Sequence, residues 1–449
     1  MSESTRESAE TVELLQALIR NKCVNDGTPE SGGERRNVDV LEAFLAGAGL
    51  QSKVYEPHPG RASLLARIEG SDRAAPSLLL LAHLDVVPAA ADAWQHDPFG
   101  GELIGDEVWG RGATDMLGFA ASMAAAIRRI ARSGRVRGSI SFLAAADEEA
   151  LGGYGAEWLT NNAWEEVQAD YVLTEWGGAH MEFPGAAPGP ILPVMVGEKS
   201  AQWLKIVAHG VSGHASTPLG ASNALLIAAE VALRLANYAP PIDLGLLWLS
   251  FVAELHLSDG LAAQLTDANR LDGLLPTFSP GLRRRVHAAT RTTISPTVMR
   301  AGQKTNVLPD SAVLEVDIRR LPGQDAKTVT TLIQEALGPM ADQIDISIQR
   351  STNATMSSTT TPLWKVLRSV SGRIVPGSRT VPFLLTGATD GRFFRERGSV
   401  VYGYGLTSPR MPFERMVQMF HGVDERIDVE SLELSTELWV QAAAGLASV

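Results

Sequence analysis

The sequence predicts a two-domain α/β protein: a larger domain on a mostly parallel sheet, interrupted by a smaller α+β domain of ferredoxin-like order. Three observations point there. Short apolar runs end abruptly in polar residues, the pattern of buried parallel strands. Helical stretches alternate with them. From about Gly197 the order changes to β-α-β-β-α-β, the split βαβ motif.

The first domain rests on three such runs. SLLLLA at 77–82 leads into His83-Leu84-Asp85, SISFLAAA at 139–146 into Asp147-Glu148-Glu149, and YVLT at 171–174 into Glu175. A helix over 118–132 lies between the first two, with Arg128, Arg129 and Arg132 in its final turns, where cations suit the helix dipole. In the smaller domain, strands are predicted over 202–207, 292–299, 312–318 and 344–349. Helices are predicted over 223–236 and over 326–337, the latter capped by Asp325. A Leu- and Ala-rich helical insertion at about 240–290 separates the first helix from the second strand. The α/β pattern resumes through 382–401. The boundaries that follow are 1–196 for the first part of the large domain, 197–350 for the inserted one, and 351–449 for the return.

Composition agrees with this division. A chain of 449 residues exceeds what one core usually supports. Hydrophobic residues make up 45% and charged residues 20%, ordinary for a globular protein. The net charge of −12, without a compensating Lys/Arg run, argues against nucleic acid as a partner. Arg283-Arg284-Arg285 is the densest basic cluster and reads as a solvated helix face. One cysteine, Cys23, excludes an internal disulfide and a Cys-based zinc site. The polar, acidic 1–10 segment lacks signal-peptide order, and no stretch reaches the roughly 18 apolar residues of a membrane span. A cytoplasmic protein without membrane attachment is expected.

The chemistry sits where the strands end, the edge at which open α/β sheets bind ligands. His83, Asp85, Glu148, Glu149 and Glu175 fall there. Asp115 follows the Gly-rich turn GRGATD, and His421 lies downstream in MFHGVDE. Imidazole nitrogen with carboxylate oxygen is a zinc ligand set. Charge accounting favours two ions: Asp115, Glu149, Glu175 and a bridging hydroxide together balance two Zn²⁺. Without metal the carboxylates repel one another. Neighbours at a strand end point apart, so one of Glu148 and Glu149 is free to bind metal while the other acts as general base. Asp85, two residues from His83, is placed to orient its imidazole. Singly these are weak signals, since an Asp-Glu-Glu run is more often a solvated loop and a lone histidine structural. Their joint occurrence at strand ends reverses those odds.

With these residues in place, the chain resembles metallopeptidase family 20, which includes aminoacylases, carboxypeptidases and succinyl-diaminopimelate desuccinylase. LLLLAHLDVVPA, WQHDPFGGELIGDEVWGRGATDMLG, DEE, HGVSGHASTP, TNVLPD, GATDGRFF and MFHGVDERI match its blocks in its order, over nearly the whole chain. The resemblance implies a zinc-peptidase-like catalytic domain with an inserted lid and dimerisation domain, and two zinc ions (cobalt or manganese as alternatives). It implies that His83 and Glu175 bind one ion and Glu149 and His421 the other, bridged by Asp115, with Glu148 as general base and Asp85 behind His83. His214, in the lid, matches the histidine that stabilises the tetrahedral oxyanion, in the family usually from the partner subunit of a homodimer. Asn306 and Arg319 match substrate contacts, Arg319 as a carboxylate clamp, and Arg392 is a further candidate.

Plainer readings stand beside these. Arg319 could pair with Asp317, Asn306 could serve a turn, Arg392 could support a loop through Asp390, and His209 reads as structural. Met116-Leu117-Gly118 departs from the lysine or asparagine that many members carry after the bridging aspartate. The expected activity is hydrolysis of an amide next to a free carboxylate in an N-acyl amino acid or short peptide. A dipeptidase is the alternative, and a catalytically silent metal-dependent binding protein a distant one. No G-x-S-x-G elbow, P-loop or H-E-x-x-H helix supports another class.

Overall fold

A computed structural model describes residues 3–134 and 136–446; Met1 and Ser2 of the acidic N-terminal segment lie outside it. Among the described residues a nine-stranded sheet forms the large domain. Its centre is four parallel strands in the order Ile140–Ala145, Leu78–His83, Tyr171–Thr174 and Val400–Gly403. The first two are buried at every position, which explains their unbroken apolar composition. Antiparallel pairing begins on either side, with Arg61–Ile68 on one flank and Ile191–Glu198 on the other. One core cluster packs helices Glu3–Arg20, Leu117–Ser133 and Val429–Leu446 on this sheet, with Phe119 edge-on to Trp439 at 5.7 Å between centroids.

The chain leaves the large sheet at Glu198 and forms a four-stranded antiparallel sheet in the order Thr293–Ala301, Ser311–Arg319, Gln202–His209, Ile344–Ser351. Helices Ala224–Asn237 and Ala326–Leu337 cover one face through Val231, Leu235, Val329 and Ile333. The expected β-α-β-β-α-β order holds, including the Asp325 cap, whose carboxylate accepts from Thr328 N at 3.0 Å.

The helical insertion interrupts the small domain in sequence but packs on the large one. Trp248, Phe251, Leu271, Phe278 and Leu282 share a core with Met181, Phe183, Phe383, Phe413 and Met416 of the large domain. Leu321 is the small domain's buried member of that cluster. No helix among the described residues is long and apolar enough to cross a membrane.

Candidate metal centre

The edge formed by the parallel strands gathers the expected residues. His83 is the last residue of Leu78–His83, and Glu175 follows Tyr171–Thr174 directly. After Ile140–Ala145 the chain turns at Asp147, whose φ of 69° is left-handed, and presents Glu148 and Glu149 in a short 3-10 turn. Asp115 ends the Gly-rich turn that opens helix Leu117–Ser133. Gly112 there has φ +87°, and a Cβ on it would lie 2.6 Å from Val86 Cγ1, so the turn needs glycine. His421 comes from the C-terminal side, beyond helix Phe413–Met419.

These residues form two sets that share Asp115: His83, Asp115 and Glu175, and Asp115, Glu149 and His421. His83 Nε2 lies 3.3 Å from Asp115 Oδ1 and 3.9 Å from Glu175 Oε2. His421 Nε2 lies 3.3 Å from Asp115 Oδ2 and 3.1 Å from Glu149 Oε2. Each oxygen of Asp115 therefore faces one set.

The residues fit a pair of metal ions. Tetrahedral zinc with bonds of about 2.0–2.1 Å spaces its ligand atoms roughly 3.3–3.4 Å apart, close to the separations of both histidines from Asp115 and of His421 from Glu149, with Glu175 somewhat farther from His83. His83 Nδ1 sits 3.0 Å from the carbonyl oxygen of Asp85, which only accepts, so Nδ1 carries a proton and Nε2 faces the cluster, able to bind an ion once its own proton is displaced. Glu149 Oε1 is buried and has no hydrogen-bond partner among the described residues.

The electrostatics point the same way. Burial, then the neighbouring Asp115 charge, pushes Glu149 up to about 7. Burial and then Glu148 raise Glu175 well above the usual carboxylate range. Glu148 is raised by burial, with Asp390 and Glu149 adding to it. Burial opposes ionisation of Asp115 too, but hydrogen bonds from His421 and His83 hold it below its ordinary value. His421, bonded to Asp115 and Glu149, rises to about 10. The pocket is short of positive charge.

The family described as Peptidase family M20/M25/M40 matches residues 79–445. The chain belongs to that family. An N-fatty-acyl-amino acid synthase/hydrolase of Xenopus tropicalis is 28% identical over 97% of this chain and 86% of its own length. A succinyl-diaminopimelate desuccinylase of Maricaulis maris is 25% identical over 99% of this chain and 97% of its own. An M20 family metallo-carboxypeptidase from Sulfolobus solfataricus shares the fold, with a TM-score of 0.73 at 16% identity over the full length of both chains. The family's relatives are amide-bond hydrolases and metallopeptidases, and this chain is an enzyme of that class.

Other expected residues take varied places. Asp85 lies 3.6 Å from His83 Nδ1 through Oδ1, farther than its own main-chain carbonyl, and its carboxylate also accepts the N–H groups of Glu148 and Glu149 at 3.1 Å each. His214 and Asn306 come together on a two-stranded ribbon, Gly213–His214 against Val307–Leu308, where Ala215 N donates to Asn306 O at 3.1 Å. Both are exposed, and His214 Nδ1 accepts from Ser216 N at 3.1 Å. Arg319 donates through Nε to Asp317 at 3.0 and 3.1 Å, the plainer pairing, which leaves its two terminal nitrogens without hydrogen bonds among the described residues. Arg392 is 1% exposed and donates to the carbonyls of Thr389 and Leu151, at 2.6 and 2.9 Å, so it supports loops rather than lining open space. His209 pairs with Asp345 at 2.7 Å.

Sequence reasoning passed over Glu425. It is fully buried and accepts from Arg111 Nη1, Gly112 N, Thr114 N, Thr114 Oγ1 and Asp115 N, all within 2.9 Å. Its one signal was its place inside MFHGVDERI. Met116 was noted as a departure; its buried thioether accepts the N–H of His83 at 3.2 Å.

Proposed function

We propose that the chain is a dinuclear zinc amidohydrolase that cleaves an amide in a small substrate bearing a free carboxylate, of N-acyl amino acid or carboxypeptidase type. The observation that carries this is the sharing of Asp115, one oxygen toward His83 and Glu175 and the other toward Glu149 and His421. When bound, the ions supply Lewis-acid polarisation of the scissile carbonyl and lower the pKa of the attacking water. His83, Asp115, Glu149, Glu175 and His421 would hold them.

Glu148 adjoins this cluster but belongs to neither ligand set, and its raised affinity for protons suits a group that must hold one. It takes a proton as water adds to the carbonyl carbon. It then gives that proton to the amine nitrogen as the C–N bond breaks, leaving a carboxylate and a free amine. His214 and Asn306 on the lid ribbon meet the substrate when lid and site approach, His214 donating to the developing oxyanion. The free terminal nitrogens of Arg319 suit a carboxylate. The lid pairs in a homodimer on this reading, which the exposure of Leu226 (66%) and Ile348 (58%) on it supports. The acyl-amino-acid names of the Xenopus and Maricaulis relatives favour an acyl amino acid over a dipeptide.

Metal analysis with a panel of acyl amino acids and dipeptides tests the reading. About two zinc per chain, with amide cleavage lost to chelator and restored by metal, is expected. Glu148→Gln should keep its metal and lose about 10²–10⁴-fold in kcat. Metal-loaded protein that binds these amides without cleaving any would sink the hydrolase reading for this site, and full activity in Glu148→Gln would remove Glu148 from it.

A further inference from the structure

Behind the cluster lies a buried polar chain whose members belong to neither ligand set. Asn25, 4% exposed, sits beside the extension of Leu78–His83, its N–H donating to Val86 O at 2.9 Å. Its side-chain nitrogen donates to Asp85 Oδ2 at 2.8 Å and to Asp147 Oδ1 at 2.9 Å. Its oxygen accepts from Gly27 N at 3.0 Å and Ser31 Oγ at 3.2 Å. Two carboxylates only accept, so the NH₂ end must face them and the amide orientation is fixed.

Each carboxylate holds one part of the turn that carries Glu148 and Glu149. Asp85 accepts the backbone N–H groups of both residues. Asp147 opens the turn in a left-handed conformation, and Leu151 closes it in another with φ 77°. Asp147 Oδ1 also accepts from Arg61 Nη2 at 2.6 Å, and Oδ2 from Tyr154 N at 3.0 Å. Arg61, 1% exposed, is fixed in turn by two 2.8 Å bonds to Glu34. Non-glycine residues with positive φ persist only where surroundings over-determine them. Here that constraint is polar and buried. Removing the amide of Asn25 would leave the Asp85 and Asp147 carboxylates facing each other in a dry site, and the turn would shift to separate them.

We propose that Asn25 and Arg61 are positioning residues for amide hydrolysis. Asn25 clamps Asp85 to Asp147 and Arg61 anchors Asp147, so that together they fix the turn presenting Glu148 and Glu149. The proposal rests on Glu148 acting as the base.

The test uses the full-length, zinc-loaded protein and the variants Asn25→Ala, Asn25→Asp, Arg61→Ala and Arg61→Lys. Partners one step behind a metal site are worth about 10–100-fold in activity or metal affinity, and Asn25 acts through one of them, Asp85, which holds the Glu149 amide. Asn25→Ala should therefore lower kcat by about 10–100-fold with KM nearly unchanged, because ground-state substrate contacts are untouched. Backbone amide exchange at Glu148 and Glu149 should accelerate while that of helix Leu117–Ser133 stays slow. Asn25→Asp has the same shape but replaces donors with acceptors, so it should cost at least as much; the milder Arg61→Lys decides the matter if the Asn25 variants do not fold. Arg61→Lys keeps a donor for Asp147 and should recover part of what Arg61→Ala loses. Unchanged kcat in Asn25→Asp, or exchange that rises uniformly over the molecule, would overturn the proposal. If the wild type cleaves no amide, the catalytic reading falls, while exchange at Glu148 and Glu149 still decides whether the clamp exists.

Discussion

Glu425 accepts the backbone N–H of Asp115 at 2.9 Å, tying the turn that carries the carboxylate shared by both residue sets to the segment that carries His421. Glu425 lies four positions from His421 in the sequence and 310 from Asp115. One buried carboxylate thus sets the spacing between two proposed ligands, Asp115 and His421, that lie far apart in the sequence.

Glu425→Ala should be severe for that reason. It would strand three backbone N–H groups and the Arg111 guanidinium in a buried site, and breaking a buried pair costs about 3–5 kcal/mol. Chemical denaturation measures that loss. Zinc affinity should fall with it by about 10–100-fold, read by competition with a chelator. Unchanged stability would mean that the Gly-rich turn holds its shape unaided.

Metal loading should be strongly pH-dependent. In the metal-free protein, hydrogen bonds to Asp115 and Glu149 keep His421 protonated up to about pH 10. A ligand histidine must be neutral, so binding at pH 7 displaces that proton. Apparent zinc affinity should rise with pH below that value, by about tenfold per unit for each proton released. Titration calorimetry in buffers of different ionisation enthalpy counts the protons, and a pH-independent affinity would contradict the ligand assignment of His421.

Much of this site was legible because ligands at strand ends leave a sharp local signature. The apolar run of Leu78–His83 stops at the first proposed ligand, and Tyr171–Thr174 stops just before Glu175. Asn25, Arg61, Glu34 and Glu425 left no such mark, since their function arises from burial against residues distant in sequence, as with Arg61 and Asp147, 86 positions apart. The same limit applied to Asp85. Its place beside His83 was readable from the two-residue spacing, but that its carboxylate also holds the amides of Glu148 and Glu149, 63 and 64 residues on, was not. The split βαβ order was readable from alternation alone. The surface on which the insertion packs was not, because an apolar helix does not name the sheet it will cover.

The lid ribbon should affect turnover more than substrate affinity. His214 Nδ1 already accepts from Ser216 N and Oγ, at 3.1 and 2.7 Å, so Nε2 is the nitrogen left for substrate. If Nε2 donates to the oxyanion, its contact strengthens only in the transition state. His214→Ala should then cost about 10²–10³ in kcat, the scale for one oxyanion donor, with little change in KM. Steady-state kinetics separate the two. A rise in KM alone would make His214 a plain binding contact.

The insertion should behave as part of the large domain's core. Phe251 is 1% exposed and touches rings from three segments: Phe183 at 5.7 Å, Trp248 at 5.5 Å and Phe383 at 5.0 Å between centroids. Phe183 lies eight residues beyond Glu175, and Phe413 of the same cluster lies eight before His421. Phe251→Ala should cost about 3–5 kcal/mol, the range for emptying a buried aromatic site. The loosening should reach both metal-ligand segments. Hydrogen exchange should therefore accelerate around Phe183 and Phe413, while the small-domain strands Gln202–His209 and Ser311–Arg319, which pack on a separate core, keep their protection. Loosening confined to the small domain would show that the insertion stabilises the lid and leaves the metal-bearing segments to hold themselves.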